Sequence, residues 1–129
     1  MKQNIFVPGQ DWLNVIGRKS PEEFANAFVE RPVFEALILR SPQIGIDAIS
    51  DYFDASRKLF EQIAFVQEAR TPERVFLEWE GRFAGKAISG VTILSWAEEE
   101  RIARIRIHHY PQDQASDFMR ALENQGHTL

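Results

Sequence analysis

Four stretches in the second half of the chain alternate apolar and polar residues, and only short turn-like segments separate them. They read IAFVQEAR (63–70), ERVFLEWEGRF (73–83), GKAISGVTILSW (85–96) and RIARIRIHHY (101–110). A period of two puts successive side chains on opposite faces of a strand. The connectors are a TPE turn, the glycine at Gly85 and the acidic run AEEE, all far too short for a helical crossover. Three hairpin connections in a row imply an antiparallel meander. Gly81, Gly85 and Gly90 are the natural places for bends or bulges in it.

The first half has a period near 3.6 instead. In KSPEEFANAFVE, Ser20 is an N-cap, Pro21 takes the first helical position and Glu23 closes a capping box. Phe24, Ala27 and Phe28 then share one face, and Pro32 follows as a stop. Upstream, GQDWLNVIGRK reads as a short helix with Trp12, Val15 and Ile16 on one stripe. VFEALILRSP, bounded by prolines, is an expected strand. GIDAISDYFDASRKLFEQI places Ile49, Tyr52, Phe53, Ser56, Leu59 and Phe60 at helical spacing. The tail QDQASDFMRALENQGHTL reads as a last helix with Phe118, Met119 and Leu122 on one side. The order is helix, helix, strand, helix, four antiparallel strands, helix. It predicts an α+β fold in which three helices pack on one face of a strongly curved antiparallel sheet. A single domain over residues 1–129 is expected, with its core at about 8–112 and the tail helix at about 113–125.

Composition narrows the function classes. Hydrophobic residues make up 44% of the 129, with ten Phe and three Trp, enough for a packed core. Fifteen Lys and Arg against nineteen Asp and Glu leave a net charge of −4, which argues against nucleic acid as a partner. The absence of cysteine excludes disulfides, thiolate nucleophiles and cysteine-based zinc sites. No stretch approaches the apolar length of a membrane span, and MKQNIFVPGQDW lacks the apolar region of a signal peptide. A cytoplasmic protein with no membrane association is the default expectation.

Strand faces sort the polar candidates. In the last strand, Ile105, Ile107 and His109 oppose Arg104, Arg106 and His108. The charged set faces water, which sends His109 inward and His108 outward, so the pair cannot chelate one ion. No His-x-x-x-His or histidine–carboxylate spacing appears, His127 lies near the C-terminus, and no metal or cofactor is expected. In the first strand Val33, Glu35 and Leu37 share a face, which is read as the inward one. A carboxylate in a dry pocket has its charged form disfavoured and its pKa raised, which suits a general base. A salt-bridged glutamate is the competing reading of Glu35, and a histidine satisfied by a hydroxyl or carbonyl that of His109.

The paired helices ending in FANAF, then VFEALI, then GIDAISDYF opening the long helix, then FAGKAISGVTIL and RIARIRIHHYP follow one another in a familiar order. Over residues 10 to 111 the chain resembles the nuclear transport factor 2-like superfamily, which includes SnoaL-like cyclases and ketosteroid isomerase. The resemblance implies a cone-shaped, cystatin-like α+β barrel around a deep apolar pocket, commonly dimeric through its outer sheet face. It places Glu35 where ketosteroid isomerase carries its catalytic carboxylate. Trp12 stands where that enzyme has an oxyanion-binding tyrosine, and Thr92 near its second carboxylic acid. Tryptophan and threonine are weaker donors for an enolate, so steroid isomerisation is not expected.

The site expected from these readings has Glu35 as acid or base and His109 as hydrogen-bond donor. Trp12, Leu37, Phe53, Phe60, Trp79, Thr92 and Ile107 line it around a small apolar or aromatic molecule. Isomerase, cyclase or hydrolase chemistry without a cofactor is one class of function. The other is a non-catalytic ligand-binding or dimerisation module, in which Phe76, Glu78, Arg104, Arg106 and His108 on the outer face matter more than Glu35.

Overall fold

The computed structural model describes residues 7–17, 20–36, 39 and 41–125. Helices α1 (Gln10–Ile16) and α2 (Pro21–Asn26) lead into strand β1 (Phe28–Ala36) and the short β2 (Gln43–Ile44). Helix α3 (Ile46–Arg57) precedes the meander of β3 (Gln62–Arg70), β4 (Arg74–Phe83), β5 (Lys86–Trp96) and β6 (Ile102–Tyr110). Helix α4 (Gln112–Asn124) ends the described chain. One six-stranded sheet results, in the order β2-β1-β6-β5-β4-β3. Every pairing is antiparallel except that of β1 with β6. The architecture is α+β, as expected.

Local chemistry accounts for the turns. Ser20 Oγ accepts from the Glu23 amide at 3.1 Å and Pro21 opens α2, so this helix starts where its capping signal lies. Ala84 and Gly85 both have positive φ (53° and 78°), the requirement of a two-residue type I′ hairpin between β4 and β5. At the β3–β4 turn, Thr71 Oγ1 accepts from the Arg74 amide at 3.0 Å.

Two boundaries differ from expectation. Helix α2 stops at Asn26, and Phe28 already belongs to β1, so Pro32 lies inside a strand. Pro32 is tolerated there because the β1–β6 register shifts between Phe28 and Val33, leaving no ladder bond for the missing N–H. Helix α3 ends at Arg57, so Phe60 sits in the connector to β3.

The concave face of the sheet carries the core. Val75, Leu77, Trp79 and Phe83 of β4 oppose Leu94, Thr92, Gly90 and Lys86 of β5, and Ile102, Ile105, Ile107 and His109 follow on β6. Phe34 and Ala36 of β1 pair with Ile105 and Ile107, which places them on the same face. Gly90 permits the closest approach in the sheet. A Cβ there would lie 2.1 Å from the His108 carbonyl oxygen and 2.4 Å from Trp79 Cζ2. The Trp79 indole therefore occupies the space above a strand that has no side chain to give.

A Gly90→Ala variant is expected to lose roughly 1–3 kcal/mol by overpacking. Urea denaturation checks this, with near-ultraviolet circular dichroism reporting a displaced Trp79.

Candidate functional site

Above Trp79 the concave face is not filled. A cavity of about 300 Å³ lies between the sheet and the first and third helices. The sheet contributes Trp79, Thr92, Ile107 and His109, and β3 adds Ile63 and Phe65. Helix α3 and its connector supply Tyr52, Phe53, Ser56, Arg57 and Phe60. Helix α1 closes the cavity with Trp12, Leu13, Ile16 and Gly17.

Ring contacts define the walls. Trp12 meets Phe53 edge-on at 5.4 Å, and Phe53 in turn meets Tyr52 at 5.2 Å. Trp79 meets Phe60 at 5.7 Å and His109 at 5.6 Å, both nearly perpendicular. Phe118 of α4 packs against Phe60 at 4.8 Å and His109 at 5.9 Å. The edge-to-face pairs among these, made by Trp12, Phe53, Tyr52, Trp79, Phe60 and His109, hold rings at fixed angles and so give the chamber a defined shape.

Polar contacts pin α1 over the opening. The Gly9 amide donates to Glu68 Oε1 at 2.9 Å, and Arg70 bridges the other Glu68 oxygen (2.6 Å) to Asp11 (3.1 Å). At the far end of the helix, Arg57 Nη2 donates to the Ile16 carbonyl at 3.0 Å. Trp12, only 3% exposed, is held over the chamber by these two fastenings.

His109 is the most distinctive polar group in the chamber. It is 6% exposed, and its Nδ1 is buried without a hydrogen-bond partner among the described residues. Desolvation lowers its pKa to about 4, with a smaller push from the neighbouring His108. The imidazole is therefore neutral at physiological pH. Tyr52 is likewise buried, and desolvation pushes its hydroxyl pKa up, so it keeps its proton. His108 is exposed on the opposite face of β6.

Glu35 does not reach the chamber, which corrects the expected inward orientation. Register decides the matter: Phe34 pairs with Ile105 and faces the core, so Glu35 pairs with Arg106 on the convex face. Its carboxylate accepts from Arg104 and lies 3.5 Å from Arg106 Nη2. The Arg104 hydrogen bond holds its pKa below the usual carboxylate value, outweighing a partial desolvation that acts the other way. Sequence alternation had two apolar registers to choose from here, and the charges on β6 select the other one.

Of the remaining expected residues, Trp12, Phe53, Phe60, Trp79, Thr92 and Ile107 all line the chamber with His109. Leu37 and His127 lie outside the described residues. Tyr52 and Ser56, on the α3 stripe that the sequence shows, also line the chamber, and helical spacing alone does not tell core from chamber. Phe65 and Arg57 carried no sequence signal. The first depends on a register shift in β3 between Phe65 and Gln67, the second on where α3 ends. Among the described residues, no group of three or more His, Asp or Glu could hold a metal ion. No described helix is long and apolar enough to cross a membrane.

Comparison with solved structures decides the fold. A steroid delta-isomerase from Pseudomonas aeruginosa superposes with a TM-score of 0.79 at 16% identity, over 89% of this chain and 85% of that one. An NTF2-like protein from Cytophaga hutchinsonii gives 0.60 at 17% identity, over 88% and 98%. The chain has the nuclear transport factor 2-like fold. A further protein with this ketosteroid isomerase-like fold, from Catenulispora acidiphila, was solved in complex with trimethylamine (TM-score 0.58, 16% identity, 78% and 82% covered). No protein-family model matches the sequence, and no curated protein matches it. Nuclear transport factor 2-like folds carry isomerases and cyclases alike, so the activity has to be argued from the chamber itself.

His109 also links protonation to stability. The unfolded chain takes up a proton near pH 6.5, whereas the folded chain resists until about 4. Stability is therefore full above pH 6.5 and falls as pH drops toward 4, by a total on the order of 3 kcal/mol. Urea denaturation between pH 7 and 4 should show this slope, and a His109→Phe variant should flatten it.

Proposed function

We propose that this chain is a SnoaL-like small-molecule-binding domain that holds an apolar or aromatic molecule in the chamber, with neutral His109 as its principal polar contact. The observation that carries this reading is an aromatic-walled cavity of about 300 Å³ that has the neutral imidazole of His109 in its lining. An apolar pocket with a few polar groups in its wall is the usual form of a small-molecule site. A cavity of this size suits a molecule of one or two rings.

No described carboxylate lines the chamber, which leaves His109 as the candidate acid–base group in this reading. Its low pKa makes the imidazole a weak base, so its part is to orient a ligand by accepting or donating a hydrogen bond. Glu35, ion-paired on the far face of the sheet, is left with a structural part.

Titration with 2-naphthol, followed by tryptophan fluorescence, tests the binding. Micromolar to millimolar saturation is the expected result. Thr92→Phe, which fills the chamber beside Ile107, should abolish it, while Glu35→Gln should leave it unchanged and cost no more than about 1 kcal/mol of stability. Binding that survives Thr92→Phe sinks the proposal.

The convex face supports a homodimer as a second element of the reading. Phe76, Val91 and Ile93 meet there in adjacent register, bordered by the Glu35–Arg104–Arg106 charges, with Tyr110 71% exposed. An apolar centre with a polar rim is the composition of a protein–protein interface. Sedimentation should give a dimer for the wild type and a monomer for Ile93→Glu, with 2-naphthol still bound.

A further inference from the structure

A second cavity of different character lies beside the chamber. This vestibule, about 330 Å³, lies between α2 and α3 and is lined by Ser20, Ser50, Asp54 and Arg57, with Pro21 and Phe24 beside them. Ile16, Phe53 and Arg57 line both spaces, so these three side chains stand between them. One compartment is nearly all carbon and ring edges. The other is mostly polar, and the guanidinium of Arg57 stands at the junction.

We propose that the molecule bound here is an amphiphilic anion: a ring body in the chamber, carrying a carboxylate or similar acid group that ends on Arg57. This deepens the binding reading above and rests on it. Arg57 is the only Lys or Arg among the described residues lining either cavity. Its orientation is set in advance, because Nη2 donates to the Ile16 carbonyl at 3.0 Å. Asp54 Oδ1 lies 3.7 Å from Nη1, close enough for attraction but too far for a hydrogen bond. A guanidinium has five N–H donors in one plane, so a carboxylate arriving from the chamber side finds unused ones at fixed positions.

The opposite polarity fits less well. Asp54 lines the vestibule but not the chamber, so a cationic group on a chamber-bound ring meets Arg57 before it meets Asp54. No described carboxylate reaches the chamber itself.

Three probes of matched shape test the proposal: 2-naphthol, 2-naphthoate and 2-naphthylmethylammonium, titrated at pH 7 in low salt. The expected order is naphthoate tightest, by about two- to fivefold over naphthol, as for an exposed ion pair, and the ammonium weakest. Half-molar sodium chloride should shrink the gap. Arg57→Gln should remove the preference for naphthoate. Because that change also loosens α1 at Ile16, Asp54→Asn serves as the second variant. It leaves the Ile16 contact in place and should tighten naphthoate alone by freeing Arg57. If naphthol binds but naphthoate gains nothing, or Asp54→Asn does not tighten it, the anion inference fails while the chamber reading stands. Tightest binding of the ammonium overturns the inference as well. Should no probe bind, both fall.

Discussion

The Trp79 indole seated over Gly90 is the contact on which the site depends. With no Cβ beneath it, the ring lies against the backbone of β5 and meets Phe60 and His109 edge-on. Five parts of the chain converge there: β4, which carries the indole, β5 beneath it, β6 through His109, the α3–β3 connector through Phe60, and β3 through the register partner Phe65. Removing a buried tryptophan from such a place typically costs 3–5 kcal/mol. The chamber exists because these rings prop against one another at steep angles and stop short of filling the cone.

Much of this was legible in the chain. Hydrophobic alternation reports strand faces directly, so the meander, the inward His109 and the outward His108 all follow from it. Glu35 departs from its expected face for a physical reason. In VFEALIL both registers are apolar, and the carboxylate's partners, Arg104 and Arg106, lie about 70 positions away on a strand that becomes its neighbour only after folding. Phe28 departs from the helical pattern because a helix and a strand join with almost no connector, and Pro32, an ordinary helix stop, is accommodated at a register shift. Arg57 had no signal at all. Its meaning comes from the two cavities it separates, and cavities are not written in any local period.

The fold explains why one scaffold can serve different chemistries. The sheet supplies a rigid concave wall, while the short helix α1 and the end of α3 supply the roof and the rim. Polar groups are scarce inside and each is buried at a cost, so a single imidazole can dominate recognition.

Gln114 gives the lower end of the chamber an unusual dependence. Its amide nitrogen lies 2.9, 3.2 and 3.4 Å from the carbonyl oxygens of Phe83, Lys86 and Ala87, around the type I′ turn. Helix α4 is thereby tied to the tip of a hairpin, and Phe118, which backs His109, is carried on that helix. The packing behind His109 is thus coupled to the geometry of a surface hairpin. A residue inserted at Ala84–Gly85 would lift α4 and reshape the space behind the imidazole, so variation at a solvent-exposed loop can retune a buried site it never touches.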